Sequence, residues 1–193
     1  MFDLQDEITI KILNALEVKL MRGEVASRPR TDSFEAWSHV AKGQSRFDRF
    51  TKEDNLKARE HCEQAIRLDP NYARAWSLLA WTHMNEVRAG WSESPEESIK
   101  RSLEFAQKSA ALDESQGQFH SLMNMIYMMQ GQYDNAIAEG QRAIELDPNN
   151  SRNHIVLAQN LEYAGRPEEA IVHAKKAMRL EPYYPAWFLA YLA

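Results

Sequence analysis

The sequence predicts an all-α protein built as a solenoid of repeated helix pairs, and three observations support this. The phrase Ala143-Ile-Glu-Leu-Asp-Pro148 recurs as Ala177-Met-Arg-Leu-Glu-Pro182, which sets a period of thirty-four positions. A third copy, Ala65-Ile-Arg-Leu-Asp-Pro70, lies two such periods plus ten positions upstream of Pro148. Each copy closes an amphipathic segment with a proline, which prevents a helix from continuing. A unit of this length holds one helix pair, and such a pair buries its apolar face only against neighbouring units.

The composition is typical of a globular protein that binds neither nucleic acid nor membrane. The 193 residues are 44% apolar, and the net charge is −5 with both signs interspersed. Because no basic stripe is present, nucleic-acid binding is disfavoured. The chain has no run of about 18 apolar residues and no basic N-terminal start, so we expect no membrane insertion, no export signal and a cytoplasmic location. Cys62 is the single cysteine, which excludes an intramolecular disulfide, and we expect it to be buried.

Residues 1–30 are predicted to form an amphipathic helix followed by a linker. Apolar residues recur every four positions from Leu4 to Leu20, and Asp3 is placed to cap the helix. The segment after it contains Gly23 and Pro29 among several charges, which is typical of a linker.

Residues 34–193 are predicted to form the repeat array. The expected units are about 34–72, 73–116, 117–150 and 151–184, with a partial or capping helix at 185–193. In the last two units a spacing of twelve separates matching small residues, Asn124 from Ala136 and Ala158 from Ala170. The first unit has a spacing of seventeen from Ala41 to Ala58, which predicts five extra residues around 47–50. The second has a spacing of twenty-two from Ala80 to Ser102, which predicts ten extra residues within 86–95.

Local signals mark where several helices start and end. Thr51 is placed to cap the second helix of the first unit, and Ser94 with Pro95 is placed to start the helix after the second insertion. In the last two units Gly131 and Gly165 are predicted to form the C-terminal turns of the first helices.

These residues resemble the tetratricopeptide repeat. The match rests on an aromatic, a leucine and a small residue in the first helix, seen as Trp76, Leu79 and Ala80, and on an alanine-rich second helix before a proline. The resemblance covers roughly residues 34–193 and implies a right-handed α-solenoid whose first helices line a concave side. The chain departs from the pattern where His120 and His154 replace the aromatic residue and where Gly140 replaces a bulky one.

A narrower resemblance concerns three short sequence segments, which start at Phe2, Phe50 and Gly90. They are similar to the C-terminal repeat region of bacterial multidomain signalling proteins that carry a class III adenylate or guanylate cyclase domain. This resemblance implies that the chain is a fragment and that residues 1–30 are the tail of a preceding domain.

The concave face is predicted to be a methionine-rich and aromatic groove that binds a protein or peptide. Its residues follow from helical spacing on three first helices, and methionine suits adaptable surfaces. The three rows are Arg74, Ser77, Trp81, Met84 and Asn85; Gln118, Ser121, Met125, Met128 and Met129; and Arg152, Ile155, Gln159, Glu162 and Tyr163. The alternative is that these residues belong to the core or are covered by the N-terminal helix.

Trp91, at the centre of the second insertion, has two interpretations. It either packs over a neighbouring unit or contacts another domain. A second hypothesis for the whole chain is a homodimer formed through Leu4 to Leu20 or through the aromatic end Tyr183 to Leu192, which would bring attached domains together.

The sequence predicts no enzyme, no cofactor and no metal site. It contains no glycine-flanked serine elbow and no phosphate-cradling glycine loop. The six histidines are expected to lie in separate units, without a His-x3-His pair on one helix, so packing is the expected role.

Overall fold

The computed structural model describes residues 31–113, 117–182, 184 and 188–189, and these form helices with no strand among them. The predicted all-α class is therefore confirmed, whereas the predictions for residues 1–30 and for most of 185–193 lie outside the described residues. The helices are α1 (Phe34–Phe47), α2 (Lys52–Leu68), α3 (Ala73–Arg88), α4 (Pro95–Leu112), α5 (Gln118–Met129), α6 (Tyr133–Leu146), α7 (Ser151–Tyr163) and α8 (Pro167–Leu180).

Consecutive helices form four packed pairs, α1 with α2, α3 with α4, α5 with α6 and α7 with α8. Each pair also packs on the next, and the first helices contact one another in sequence, α1 with α3, α3 with α5 and α5 with α7. The buried residues therefore form one continuous core rather than four separate ones. None of the described helices is long and apolar enough to cross a bilayer.

Polar side chains fix the start of several helices. The Ser33 and Thr51 hydroxyls accept the backbone N–H of Ala36 and Asp54, both at 3.1 Å, so both residues are N-caps. At α4 the first-turn proline is present, but the expected Ser94 side-chain cap is not formed. The Ser92 hydroxyl accepts the N–H of Ser94 itself at 3.2 Å, so it orders the residues before the helix rather than capping the first turn.

Small residues lie where the two helices of a unit cross. In the second unit the Ser102 hydroxyl donates to the Ala80 carbonyl at 2.8 Å. In the third unit the Asn124 amide donates to the Ala136 carbonyl, also at 2.8 Å. We call the first-helix member of each pair the crossing residue, because it lies where the two helices of the unit cross.

In the first unit the crossing residue is Gly43, so the predicted use of Ala41 is wrong. Ala41 is exposed and Gly43 is buried. A Cβ on Gly43 would lie 3.3 Å from the Ala58 carbonyl oxygen and 3.3 Å from a methyl of Leu78. The spacing from Gly43 to Ala58 is fifteen, so this unit carries three extra residues rather than five. They lie in the first turn of α2, not around 47–50.

The turn after each first helix uses a residue with positive φ seven or ten positions beyond the crossing residue. Gly131 and Gly165 have φ of 72° and 75°, and the following N–H groups donate to carbonyls five residues back. This confirms the predicted glycine C-terminal turns. Gly90 closes α3 in the same way, whereas Phe50 fills the corresponding place after α1 with φ of 51°.

The ten extra residues of the second unit lengthen both helices as well as the loop. The chain takes ten residues from Ala80 to Gly90, where the regular units take seven. The loop has six residues, 89–94, instead of three, and α4 begins seven residues before Ser102 instead of three. The surplus thus extends beyond the predicted 86–95 into the first turn of α4.

Candidate functional site

The centre of the predicted groove is buried. Seven of the predicted side chains are between 0% and 5% exposed: Ser77, Trp81, Met84, Asn85, Ser121, Met125 and Ile155. Several are also tied by hydrogen bonds, since the Ser77 hydroxyl donates to Gln118 at 2.7 Å and the Ser121 hydroxyl donates to Asn153 at 2.5 Å. In this structure these residues pack in the core and present no surface to a partner.

The ends of the groove are accessible. Tyr163 is 58% exposed and Met129 is 41% exposed, and the two occupy equivalent positions at the ends of α7 and α5. The Tyr163 ring stacks on Tyr133 with a centroid separation of 6.3 Å and an angle of 15°. We call Met129, Tyr133 and Tyr163 the rim patch. The remaining accessible members of the predicted set are Arg74 and Glu162, which are exposed, and Gln118, Met128, Arg152 and Gln159, which are partly exposed.

A side-chain contact closes the inner face between the first and fourth units. The Arg152 guanidinium donates to the Asp48 carboxylate at 3.1 Å and lies 5.2 Å from the centre of the Phe47 ring. Arg152 and Asp48 are 104 positions apart in the chain. The inner face is therefore narrow enough for one arginine to bridge it, which agrees with the burial of the side chains between.

The sequence prediction missed the row that α1 contributes to the inner face. With Gly43 as the crossing residue, this row is Trp37, Val40, Gln44, Phe47 and Asp48. Val40 and Phe47 are buried at 2% and 5% exposed. Ala41 and Gly43 are both small, so no signal in the sequence separated them, and the row follows only from the packing of Gly43 against Ala58.

Trp91 packs within the protein. The centre of its ring lies 5.5 Å from the centre of the Phe50 ring. The guanidinium of Arg88, the last residue of α3, lies 5.6 Å from the centre of the same Phe50 ring. Trp91 remains partly exposed. The loops of the first two units, one ending α1 and one ending α3, thus meet at an aromatic and cationic contact.

A side-chain pair recurs at one place in all four units, four residues before the crossing residue on the first helix. In the first unit the Nδ1 atoms of His39 and His61 are 3.1 Å apart. In the fourth, the Nδ1 atoms of His154 and His173 are also 3.1 Å apart. The second unit has Trp76 against Phe105 at this place, and the third has His120 against Glu139 at 2.7 Å. The prediction that the histidines lie in separate units is therefore wrong, because His39 and His61 share the first unit, and His154 and His173 share the fourth.

Burial sets the chemistry of the remaining titratable core groups. Desolvation raises the pKa of the Cys62 thiol to about 12, and Cys62 is fully buried as expected, so it is not a reactive thiolate. Desolvation lowers the pKa of His83 to about 4. Within the ranges that the structure describes, no three histidine, cysteine, aspartate or glutamate side chains converge as metal ligands.

Comparisons with known proteins agree with this architecture. Residues 127–182 match the sequence profile of the tetratricopeptide repeat. Over 122 residues, 62% of its length, the chain is 29% identical to a Rhizobium meliloti (strain 1021) protein named "Putative adenylate cyclase 3". The chain spans only about a fifth (21%) of that relative.

Solved structures show the same fold at low sequence identity. A tetratricopeptide repeat protein of Thermus thermophilus aligns with a TM-score of 0.64 and 15% identity, over 98% of this chain and 94% of that one. PilF of Pseudomonas aeruginosa aligns with a TM-score of 0.55 and 19% identity, over 82% of this chain and 66% of that one. Residues 127–182 thus carry the sequence pattern of the tetratricopeptide repeat, and the described helices have the solenoid fold of proteins built from that repeat.

Proposed function

We propose that this chain is a protein-interaction module that binds a peptide or helix of another protein or domain at the rim patch and the accessible groove residues beside it. The observation that carries this proposal is the exposure of Tyr163 and Met129 at equivalent positions of adjacent units. Aromatic and methionine side chains supply large contact areas at interfaces. A stacked tyrosine pair loses little conformational freedom when it binds, because each ring is already held by the other.

The buried groove residues play a different part in this proposal. Trp81, Met84, Met125 and Ile155 form the floor that holds α3, α5 and α7 in register. Gln118 and Arg152 lie at the N-terminal ends of α5 and α7, about 16 Å along the helix axes from Met129 and Tyr163, and are not part of the rim patch. A partner reaches the floor only if the Arg152 bridge to Asp48 opens.

A photo-crosslinking amino acid at position 163 of the full-length protein, expressed in its own organism, tests the rim patch. The matched control is position 172, because Val172 is 64% exposed but lies on α8, away from the rim. We expect a defined crosslinked species from 163 that is absent from 172 and that is reduced by Met129→Ala. Equal crosslinking from both positions would contradict the proposal. A Trp81→Ala variant is a poor test, since Trp81 is buried and its loss would also disturb the fold.

We further propose that the array is a regulatory or scaffolding part of a larger bacterial signalling protein. The 29% identity to the Rhizobium meliloti relative supports this, and the limited share of that protein makes it a proposal about a region only. Cyclic-nucleotide production by the full-length protein, compared between wild type and Tyr163→Ala, provides the test. The proposal is contradicted if the Tyr163→Ala protein produces as much cyclic nucleotide as the wild type under every growth condition that changes wild-type production.

Dimerisation remains the second candidate. At the C-terminal end Tyr184 stacks on Phe188 at 6.0 Å and Phe188 is 2% exposed, whereas Leu189 is 49% exposed. Of the described residues at this end, Leu189 is thus the apolar side chain open to a second copy. Light scattering of the whole chain with Leu189→Lys, and separately with Ile8→Lys in the predicted N-terminal stripe, would show which element associates. A monomer at all concentrations in the wild type would exclude the dimer.

A further inference from the structure

Two units place two imidazoles at the same repeat position, His39 with His61 and His154 with His173, with Nδ1 atoms 3.1 Å apart in each case. We propose that each pair binds one divalent late transition-metal ion, such as Zn²⁺, Ni²⁺ or Cu²⁺, with solvent completing its coordination. Neutral imidazole is a preferred ligand for this class of ion. This site is separate from the rim patch and does not depend on partner binding.

The separation of the nitrogen atoms suits a shared ion. Zinc to imidazole nitrogen distances are about 2.0–2.1 Å, so two ligands at the angles of square or tetrahedral coordination lie about 2.9–3.4 Å apart. Without an ion, one ring donates its Nδ1–H to the other Nδ1. To bind an ion, the donor ring must first move that proton from Nδ1 to Nε2 by exchange with solvent. A rotation about χ2, which is a soft torsion for histidine, then turns both Nδ1 lone pairs toward a common point.

In the fourth unit a hydrogen bond fixes the tautomer that a ligand needs. The Nε2 atom of His154 lies 3.0 Å from the carbonyl oxygen of Pro148, which can only accept. Nε2 therefore carries the proton and Nδ1 of His154 presents a lone pair to His173. Metal-bound histidine commonly donates its other ring N–H to a backbone carbonyl in this way.

The protonation state leaves the imidazoles free to bind a cation, and the surrounding charges favour a cation more at the fourth pair than at the first. Desolvation lowers the pKa of His61, His154 and His173, so the neutral ligand form is favoured near pH 7. The charges nearby are of both signs. They are Lys42, Arg46 and Glu60 at the first pair, and Lys176, Asp147 and Glu169 at the fourth.

Binding would join the two helices of a unit. His39 lies on α1 and His61 on α2, while His154 lies on α7 and His173 on α8. An ion held by both rings stabilises the folded unit, because separated helices offer only single imidazoles. With two protein ligands each, these are exchangeable sites at the first and last complete helix pairs of the described array. The second and third units lack the imidazole pair and serve as internal comparators.

Titration of the tag-free full chain with Zn²⁺ alone, followed by calorimetry, tests the proposal. We expect two ions per chain, one in His61→Gln or His173→Gln, and none in the double variant. His120→Gln is the matched control, because His120 occupies the same repeat position without an imidazole partner, and it should still bind two. Thermal unfolding should show a Zn²⁺-dependent rise of a few degrees in the wild type and none in the double variant.

Histidine ring ¹H–¹⁵N correlation spectra of the wild type make the test independent of variant folding. Zn²⁺ should shift the Nδ1 resonances of the four paired histidines and leave His83 and His120 in place. The proposal is overturned if no binding is seen at millimolar Zn²⁺, if the double variant binds as the wild type does, or if the shifts fall on other histidines.

Discussion

At the scale of single residues, the large side chain at the helix crossing of the third unit is matched by a glycine on the facing helix. The third unit carries the large crossing residue Asn124, and it compensates with Gly140 four residues after Ala136. A Cβ on Gly140 would lie 2.4 Å from the Asn124 amide nitrogen and 3.0 Å from a Leu157 methyl carbon. The departure from the family pattern at Gly140 is thus the space that Asn124 requires. Asn124 in turn accepts a 2.5 Å hydrogen bond from Asn160 of the fourth unit.

Gly140→Ala should therefore destabilise the fold by about 1–3 kcal/mol, because the new methyl group overpacks a site that close packing already fills. Gly165→Ala is the matched control. A Cβ there meets nothing within 4 Å, so its cost of about 1 kcal/mol comes from the positive φ alone. Chemical denaturation of both variants and of Gly140→Ala combined with Asn124→Ala gives the comparison. The smaller side chain at position 124 should restore part of the stability lost in Gly140→Ala. If it restores none, Gly140 does not serve to make room for Asn124.

The buried His83 should make stability depend on pH. Its pKa is held near 4 mainly by desolvation and then by Arg59, with Glu86, Glu97 and Arg101 also nearby. Above the ordinary pKa of about 6.5 neither the folded nor the unfolded chain binds this proton. As the pH falls from about 6.5 to 4, only the unfolded chain binds it, so stability is lost over that window by up to about 3 kcal/mol.

Denaturation of wild type and His83→Gln at several pH values checks this. The variant should lose less stability than the wild type between pH 6.5 and 4. Parallel curves for the two proteins would mean that His83 does not contribute to the pH dependence.

At the scale of elements, the positions of glycine and of the crossing residues explain how insertions are accommodated. The second unit adds about one turn to α3 and one to α4, which keeps the α3–α4 contact in register while the loop moves outward. The first unit instead keeps α1 at regular length and extends the start of α2. Phe50 adopts a backbone conformation that favours glycine, and its contacts with Trp91 and Arg88 offset that cost.

Trp91→Ala should therefore lower stability by about 1 kcal/mol through loss of its contact with Phe50. The loss should not add to that of Phe50→Ala. A double-mutant cycle measured by denaturation is expected to show a coupling of about 0.5–1.5 kcal/mol between the two rings. Zero coupling, together with loss of partner binding in Trp91→Ala at full stability, would favour the other interpretation of Trp91 as a contact for another domain.

At the scale of the whole molecule, the bridge from Arg152 to Asp48 and Phe47 links units that are not neighbours in the array. A simple solenoid has only nearest-neighbour contacts, so its units unfold with limited cooperativity. The bridge and the buried inner face couple the first unit to the fourth. We expect the four described units to unfold as one cooperative body.

Phe47→Ala should destabilise the protein by about 3–5 kcal/mol, since Phe47 is 5% exposed and its removal leaves a cavity. Arg152→Ala should cost less than about 1 kcal/mol, because the Arg152–Asp48 pair is 40% and 50% exposed and screened by solvent. Hydrogen exchange should nevertheless show faster exchange in α1 and α7 of Arg152→Ala. Unchanged exchange in both helices would show that the bridge does not hold the inner face closed.

The sequence by itself determined the features that depend on local periodicity. The repeat, the glycine turns at Gly131 and Gly165 and the buried Cys62 follow from side chains a few residues apart, because helical spacing and backbone preferences act over that range. It placed Ala41 two residues from the true crossing residue, because two small residues on one helix cannot be told apart without the facing helix.

Only the tertiary structure decided which residues meet across the fold. The His39–His61 and His154–His173 pairs join residues 22 and 19 positions apart, and the Arg152–Asp48 bridge spans 104. The burial of Trp81 and Met125, and the exposure of Tyr163, likewise follow from how tightly the first helices close around one another. How closely the first helices approach depends on the packing of side chains in all four units, so it cannot be predicted from helical spacing within any one unit.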